Sequence, residues 1–257
     1  MTSLILFSPP TFCMLHCSSL SILAPTNRQI NTYNMAVLEW LSAPQRTYLA
    51  ADDIKEVNDE NLHPTSLLDY VCRQTPPGIP PHLLTVKIGG IYQLLRNLSV
   101  SRNLVKNTRV IITHLGDRLI TVHKIGCLNP TTNQQNVDII LPRISFSTTL
   151  PSSNYMILRK QFPLAPAYTS TFNSCQGLTL DCVGIDLTKP IFSHGQLYTA
   201  FSQIRWWSDV CIRIDHCQTT TANVVYPELS ISPISTTHQQ HIPLWCHHCI
   251  IRTTSLL

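Results

Sequence analysis

"TSTFNSCQGLTLDCVGIDL", residues 169–187, is the stretch on which the fold turns. Its first eight residues are mostly small and polar, Gly177 follows, and from Leu178 an apolar run closes on Asp186 and Leu187. The spacing predicts a helix-compatible segment ending at Gln176, Gly177 as its C-terminal cap, and then a strand of an α/β domain. The polar cluster has two readings. It is a capped helix end, or it offers hydroxyl and amide groups to phosphate oxygens, with Gly177 letting a backbone N–H approach closely.

Working outward, "LSILA" (20–24) is a short apolar run that Pro25 ends. Thr26 or Asn27 can cap the helix that follows, in which Ile30, Tyr33, Val37, Leu38 and Leu41 recur at helical spacing. "TYLAADDI" (47–54) reads as a strand running into an acidic turn, and "RQTPPGIPPH" (73–82) as a linker or boundary. From His82 to Lys160 the texture changes to short β-like runs: "LLTVKI", "IYQLLRN", "RVIITHL", "RLITVHKI", "VDIILPRI" and "YMILRK". Strands at this spacing predict a small barrel. After Pro166 the α/β texture returns, with a helix from about His194 to Ile204 capped by Ser193 and the strand "VCIRI". The expectation is an α/β domain interrupted by a β insertion.

Composition agrees with a globular chain. Of 257 residues 44% are hydrophobic and 12% charged, which argues against disorder, and the eighteen prolines and eight glycines follow no repeat. Ten unevenly spaced cysteines in a chain this large suggest reduced thiols inside a cell. The apolar opening has no Lys or Arg before Arg28 and is broken by Pro9-Pro10, unlike an export signal. No stretch approaches the roughly 20 apolar residues of a membrane span. Residues 86–160 hold ten Lys and Arg against Asp117 and Asp138, a net +8, which leaves −4 for the rest of a chain whose formal charge is +4. A basic middle on an acidic scaffold fits a polyanion-binding face, or solvated charges on sheet edges.

"SILAPTN" (21–27), "TYLAADDI" (47–54), "GIPPHLLTVKIGGIYQLLRNL" (78–98), "NTRVII" (107–112), "ILPRI" (140–144), "QFPLAPAYTSTFNSCQGLTL" (161–180), "GIDL" (184–187), "PIFSHGQLYTAFSQI" (190–204) and "NVVY" (223–226) fall in one order. In that order and spacing the chain resembles the C-terminal half of Pif-type helicases, particularly those of Helitron transposable elements, over about residues 20–229. The resemblance implies a second RecA-like, P-loop-NTPase-type motor domain interrupted by a small Src-homology-three-like β-barrel, the 2B domain. It divides the chain into an unmatched 1–19, a first motor part 20–81, the basic barrel 82–160, a second motor part 161–229 and an unmatched tail 230–257. It also implies ATP-dependent 5′-to-3′ DNA unwinding with roles in repair, recombination and telomere maintenance. ATP and Mg²⁺ are the family's cofactors, single-stranded or forked DNA its partner, and the nucleus or the mitochondrion its place.

By position, the resemblance assigns Thr26, Asn27, Gln176, Gly177 and Gln203 to the nucleotide cleft. It assigns Arg96, Asn97, Thr171 and Asn173 to DNA, and the basic charge of the β segment adds Lys87 and Arg109. Gly195, Gln196, Tyr198 and Ser202 match the sixth helicase motif. Two positions depart from the family pattern. Ser174 stands where a lysine is usual, and Gln203 occupies the arginine-finger position. Such fingers are worth about 10³–10⁵ in rate, roughly 4–7 kcal/mol, so no catalytic residue is assigned here. Arg205, two residues on, would face elsewhere on a helix. The chain also holds no Gly-Lys pair, hence no GxxxxGK(S/T) phosphate loop, and its one Asp-Glu, Asp59-Glu60, does not follow a buried-strand pattern. The chain alone is therefore expected neither to hold ATP tightly nor to hydrolyse it. Alternative readings are a non-enzymatic single-stranded-DNA-binding module and a transposon remnant.

Two further groupings stand outside this frame. His238, His241, Cys246 and Cys249 have ligand types suited to zinc, but the loop between the pairs is short, and no metal is assigned. Trp206-Trp207 either packs in the core or stacks on bases. A monomer is expected.

Overall fold

The computed structural model describes residues 20–56, 65–125, 137–149, 155–176, 180, 182–206, 208, 210–215, 220–224, 226, 239–243 and 250–251. The chain divides into two compact units, one of Met1–Val37 with Tyr168–Leu257 and one of Leu38–Ala167. In chain order the first elements are β1 (Leu20–Ala24), α1 (Asn27–Trp40), β2 (Gln45–Leu49), β3 (Ala51–Glu56), α2 (Thr65–Arg73), β4 (Leu83–Lys87) and β5 (Ile91–Leu94). Next come β6 (Arg109–Leu115), β7 (Leu119–Lys124), β8 (Ile139–Pro142), β9 (Ile144–Thr149), β10 (Tyr155–Gln161), β11 (Leu164–Pro166) and β12 (Thr169–Thr171). The last are β13 (Cys182–Asp186), α3 (Gln196–Ser202), β14 (Val210–Arg213), β15 (Thr220–Val224), β16 (Gln239–Pro243) and β17 (Ile250–Ile251).

The first unit is built on a sheet of order β12-β1-β13-β14-β17 in which every pairing is parallel. Parallel strands are covered on both faces, which is why β13 reads as an almost unbroken apolar run and buries Val183 and Ile185. Leu23, Phe172, Cys175, Leu197 and Ile212 join them in one core. Full burial of each large apolar side chain stabilises the unit by about 1.5–3 kcal/mol.

The second unit is antiparallel. One sheet has the order β11-β5-β6-β7-β8, a second is β3-β10-β9, and β2 pairs with β4. Alternate residues of β6 and β7 point inward, Val110 and Ile112 against Ile120 and Val122, as the period-two texture requires. This unit begins at Leu38, well before the change of texture at His82, because β2 pairs with β4 and β3 pairs with β10.

Three local expectations are corrected. The acidic pair of "TYLAADDI" does not lie in a turn; Asp52 and Asp53 lie within β3, opposite Arg159 and Leu158 of β10. The stretch before Gln176 is not helical; it is β12 followed by a turn over 172–176. Strand pairing with β1 supplies backbone partners that a helix would have supplied internally. The third helix starts at Gln196, and its N-cap is Gly195 at φ 68°, not Ser193. A left-handed residue there is open to glycine at little cost.

Gly90 is needed for a different reason. A Cβ there would lie 2.8 Å from a ring carbon of Tyr92 and 3.0 Å from the Lys87 carbonyl oxygen. Tyr92 is fully buried, and its hydroxyl accepts the Lys87 N–H at 3.1 Å, so the ring has nowhere to go. Gly90→Ala is expected to cost about 1–3 kcal/mol by overpacking, read as a lower urea midpoint. An unchanged midpoint would show that the strand can shift.

Candidate functional site

Numbered by chain order within its sheet, the first unit's strands run 2-1-3-4-5. In such a sheet the ligand crevice lies outside the carboxyl ends of the strands where the order reverses, here between β1 and β13. Thr26 and Asn27 follow β1, and Asp186 ends β13. Thr26 caps α1. Its Oγ1 accepts the Gln29 N–H at 3.4 Å and donates to Gln29 Oε1 at 2.7 Å, a variant of the capping box.

Asp186 is 2% exposed and draws the surrounding groups together. Its Oδ2 accepts Gln29 Nε2 at 3.1 Å and the Tyr33 hydroxyl at 2.5 Å. Its Oδ1 accepts the Thr188 N–H at 2.9 Å and the Thr188 hydroxyl at 2.7 Å. Arg213, at the end of β14, donates Nη1 to the Tyr33 oxygen at 2.6 Å and lies 4.0 Å from Asp186. Burial, then the hydrogen bond and charge of Asp186, push the Tyr33 phenol far up despite Arg213, so it remains a donor. Among the described residues, Arg213 Nε is buried without a hydrogen-bond partner.

In the turn after β12, Thr171 Oγ1 donates to Ser174 Oγ at 2.6 Å and accepts the Ser174 N–H at 3.1 Å. Phe172 and Cys175 point into the core and Asn173, Ser174 and Gln176 outward. That alternation comes from a hydroxyl-locked turn, the local competition with helix that Ser and Thr provide. Burial pushes the Cys175 thiol up to about 11, which makes it inert packing. Gly177 lies outside the described residues, as do Asp59 and Glu60.

Along α3, Gln196 is buried, its Oε1 accepting the Phe192 N–H at 3.2 Å, while Tyr198 is exposed. Gln203 is the C-cap residue, and its Nε2 donates to Ser202 Oγ at 2.7 Å. Arg205 lies beyond that cap, so its direction is not set by the helical period. Trp206 is 65% exposed, which removes the core reading for it; Trp207 lies outside the described residues.

The residues expected to meet DNA in the second unit are differently placed. Arg96 is exposed, its guanidinium 5.4 Å from the centre of the Phe146 ring. Asn97 Oδ1 accepts the Lys106 N–H at 2.7 Å, closing a loop in which Asn103 and Asn107 take positive φ. Lys87 Nζ donates to the Leu41 carbonyl at 3.0 Å, and Arg109 is half-buried on β6. Arg159 is fully buried and leaves any basic face.

Residues 74–115 match the family model described as DNA helicase Pif1, 2B domain. Over 150 residues the chain is 31% identical to the human ATP-dependent DNA helicase PIF1, a match covering 58% of this chain and 21% of that protein. Over these stretches the chain is similar to the Pif1 helicases. It is also 31% identical over 122 residues to Pif1 of Bdellovibrio bacteriovorus, covering 48% of this chain and 25% of that one. The chain thus spans about a fifth to a quarter of the length of these relatives. The crystal structure of Pif1 helicase from Candida albicans aligns with a TM-score of 0.59 and 20% identity, over 80% of this chain and 47% of that one. Bacteroides Pif1 bound to single-stranded DNA aligns at 0.52 and 22%, over 75% and 40%. The fold is the Pif1 one, a RecA-like motor domain interrupted by a small β-barrel.

Lys87, Arg96, Asn97 and Arg109 all fall inside the matched 2B segment. Sequence reasoning missed Tyr33, Asp186 and Arg213, although a lone Asp closing an apolar run was a usable signal. It also missed a cluster around Arg159, described below. His238, Cys246, Cys249 and the side chain of His241 lie outside the described residues.

Proposed function

We propose that the chain is a second motor region with its 2B barrel from a Pif1-type, ATP-dependent DNA helicase of Helitron kind. In this reading it binds single-stranded or forked DNA and lines one side of an ATP–Mg²⁺ cleft that another P-loop domain completes. The relation over 150 residues to a protein named as an ATP-dependent DNA helicase carries the proposal. Thr26, Asn27, Gln176, Gly177 and Gln203 are the nucleotide-cleft residues; Lys87, Arg96, Asn97, Arg109, Thr171 and Asn173 are the DNA residues. The proposed motor parts are 20–81 and 161–229 and the barrel 82–160, with 38–81 packing in one compact unit with the barrel. The proposal extends to work on nuclear DNA in repair, recombination or telomere maintenance, with polarity 5′ to 3′; mitochondrial DNA is the second location.

With no Gly-Lys pair and with Gln203 at the finger position, the chain alone supplies DNA contact but not turnover. A non-enzymatic single-strand-binding role is the second reading, and those same two features favour it. Titration of a labelled single strand against the purified chain should show binding that weakens steeply with salt. Arg96→Ala should weaken it equally across sequences and lower the salt slope by about one. Absent or salt-independent binding would remove both readings. DNA-stimulated ATP hydrolysis by the chain alone would overturn the dependence on a second domain.

A further inference from the structure

The second unit gathers three metal-ligating side chains that the proposed helicase function does not use. Asp52 comes from β3, Cys72 from the last turn of α2, and His82 from the residue before β4. Their ligand atoms all lie within 4.8 Å of one another. The Asp52 carboxylate is 1% exposed and is held from behind by Arg159, with Nε 2.8 Å from Oδ1 and Nη2 2.7 Å from Oδ2. His82 Nδ1 faces Oδ2 at 2.9 Å, with 21% of its side chain exposed. Cys72 is a free, half-buried thiol.

We propose that Asp52, Cys72 and His82 bind a zinc ion through three protein ligands, with water in the fourth position. Zinc bonds of about 2.0–2.2 Å to nitrogen and oxygen and about 2.3 Å to sulfur, arranged tetrahedrally, put neighbouring ligand atoms roughly 3.3–3.8 Å apart. The His82–Asp52 separation must open by about half an ångström and the widest separation must close by about one. Side-chain rotation of Cys72 and His82 supplies both, since each is only half-buried. Zinc takes the place of the proton between His82 Nδ1 and Asp52, which passes through solvent to Nε2 of the same ring, and the Cys72 thiol proton is released to solvent. Arg159 serves as the outer partner that orients the ligating carboxylate, the usual support of such ligands. It also neutralises Asp52, so the Cys72 thiolate carries most of the attraction for the cation. The bound ion ties together β3, α2 and the Pro-rich segment that ends at His82.

The test uses the full chain, reduced, with Cys246→Ser and Cys249→Ser introduced to remove the thiols of the other Cys/His grouping. Zinc alone and cobalt alone are titrated. One equivalent is expected, with the intense visible bands of tetrahedral cobalt and a thiolate-to-cobalt charge-transfer band. Cys72→Ser should abolish that band, and His82→Gln should weaken binding at least tenfold. Both variants leave the Arg159–Asp52 pair intact. Should either fail to fold, alkylation of Cys72 in the otherwise unaltered chain gives the answer, because zinc should slow it and leave Cys182 unaffected. No uptake, an octahedral cobalt spectrum, or equal uptake by Cys72→Ser would overturn the site.

Discussion

Arg159→Ala is expected to cost the Leu38–Ala167 unit about 3–5 kcal/mol, a large part of the 5–15 kcal/mol that holds a typical domain together. Arg159 is fully buried and all five of its N–H donors are used. Nε and Nη2 clamp both oxygens of Asp52. Nη1 donates to the carbonyls of Gln74 at 2.9 Å and Pro80 at 3.1 Å, and Nη2 also to that of Val71 at 2.9 Å. Truncation leaves the buried carboxylate with only its His82 contact and strips a donor from three carbonyls, of which that of Val71 keeps the Gln74 N–H. Arg159→Lys should rescue little, because a single ammonium cannot span a planar fork of five donors. The neighbouring exposed Lys160→Ala should stay within about 0.5 kcal/mol and serves as the control. Thermal melts decide the matter, and a drop in Tm of less than a few degrees for Arg159→Ala would refute the account.

The same pair sets an acid limit. Burial alone would raise the Asp52 carboxyl, but the hydrogen bond and charge of Arg159, then those of His82, outweigh it and hold the group below its ordinary range. The folded state therefore binds that proton less readily than the unfolded chain, whose aspartates titrate near about 3.9. The stabilisation is fully present above that value and is lost as pH falls through the depressed one. Urea melts below pH 4 should show a steeper loss for the parent chain than for a double variant that replaces Asp52 and Arg159 with Leu and Met.

Asp186→Ala is the second large effect, also expected at about 3–5 kcal/mol, in the first unit. It strips partners from Gln29, Tyr33 and both polar groups of Thr188, and leaves the Arg213 charge without its carboxylate. The loss should be local first. Amide exchange in the first turns of α1 should speed up before the sheet opens, because Gln29 and Tyr33 tie that helix to the end of β13. Asp186→Asn keeps one acceptor but turns an NH₂ toward existing donors, so it should recover only part of the loss. Unchanged protection in α1 would contradict the role given to Asp186.

Much of the layout was legible because it rests on local signals. Pro25 and Thr26 mark where β1 stops and α1 starts, and period-two alternation marks β6 and β7. The clustering of Lys87, Arg96 and Arg109 in a β-textured segment was likewise visible, and that segment carries the 2B match. Arg159 shows where such signals end. It looked like one more surface charge in a basic run, yet it pairs with an aspartate 107 positions away.

Residues 169–187 divide the same way. Sequence alone set the buried strand from Cys182 to Asp186, since only a doubly covered parallel strand needs so apolar a run. The preceding small polar segment was read as a helix end, and that reading failed. Tertiary structure alone decided that Thr169–Thr171 joins β1 as a strand, that the Thr171 and Ser174 hydroxyls lock the turn, and that Asp186 gathers Tyr33, Thr188 and Arg213. Those choices depend on which distant backbone and side chains arrive to satisfy each buried polar group, and no local period encodes that arrival.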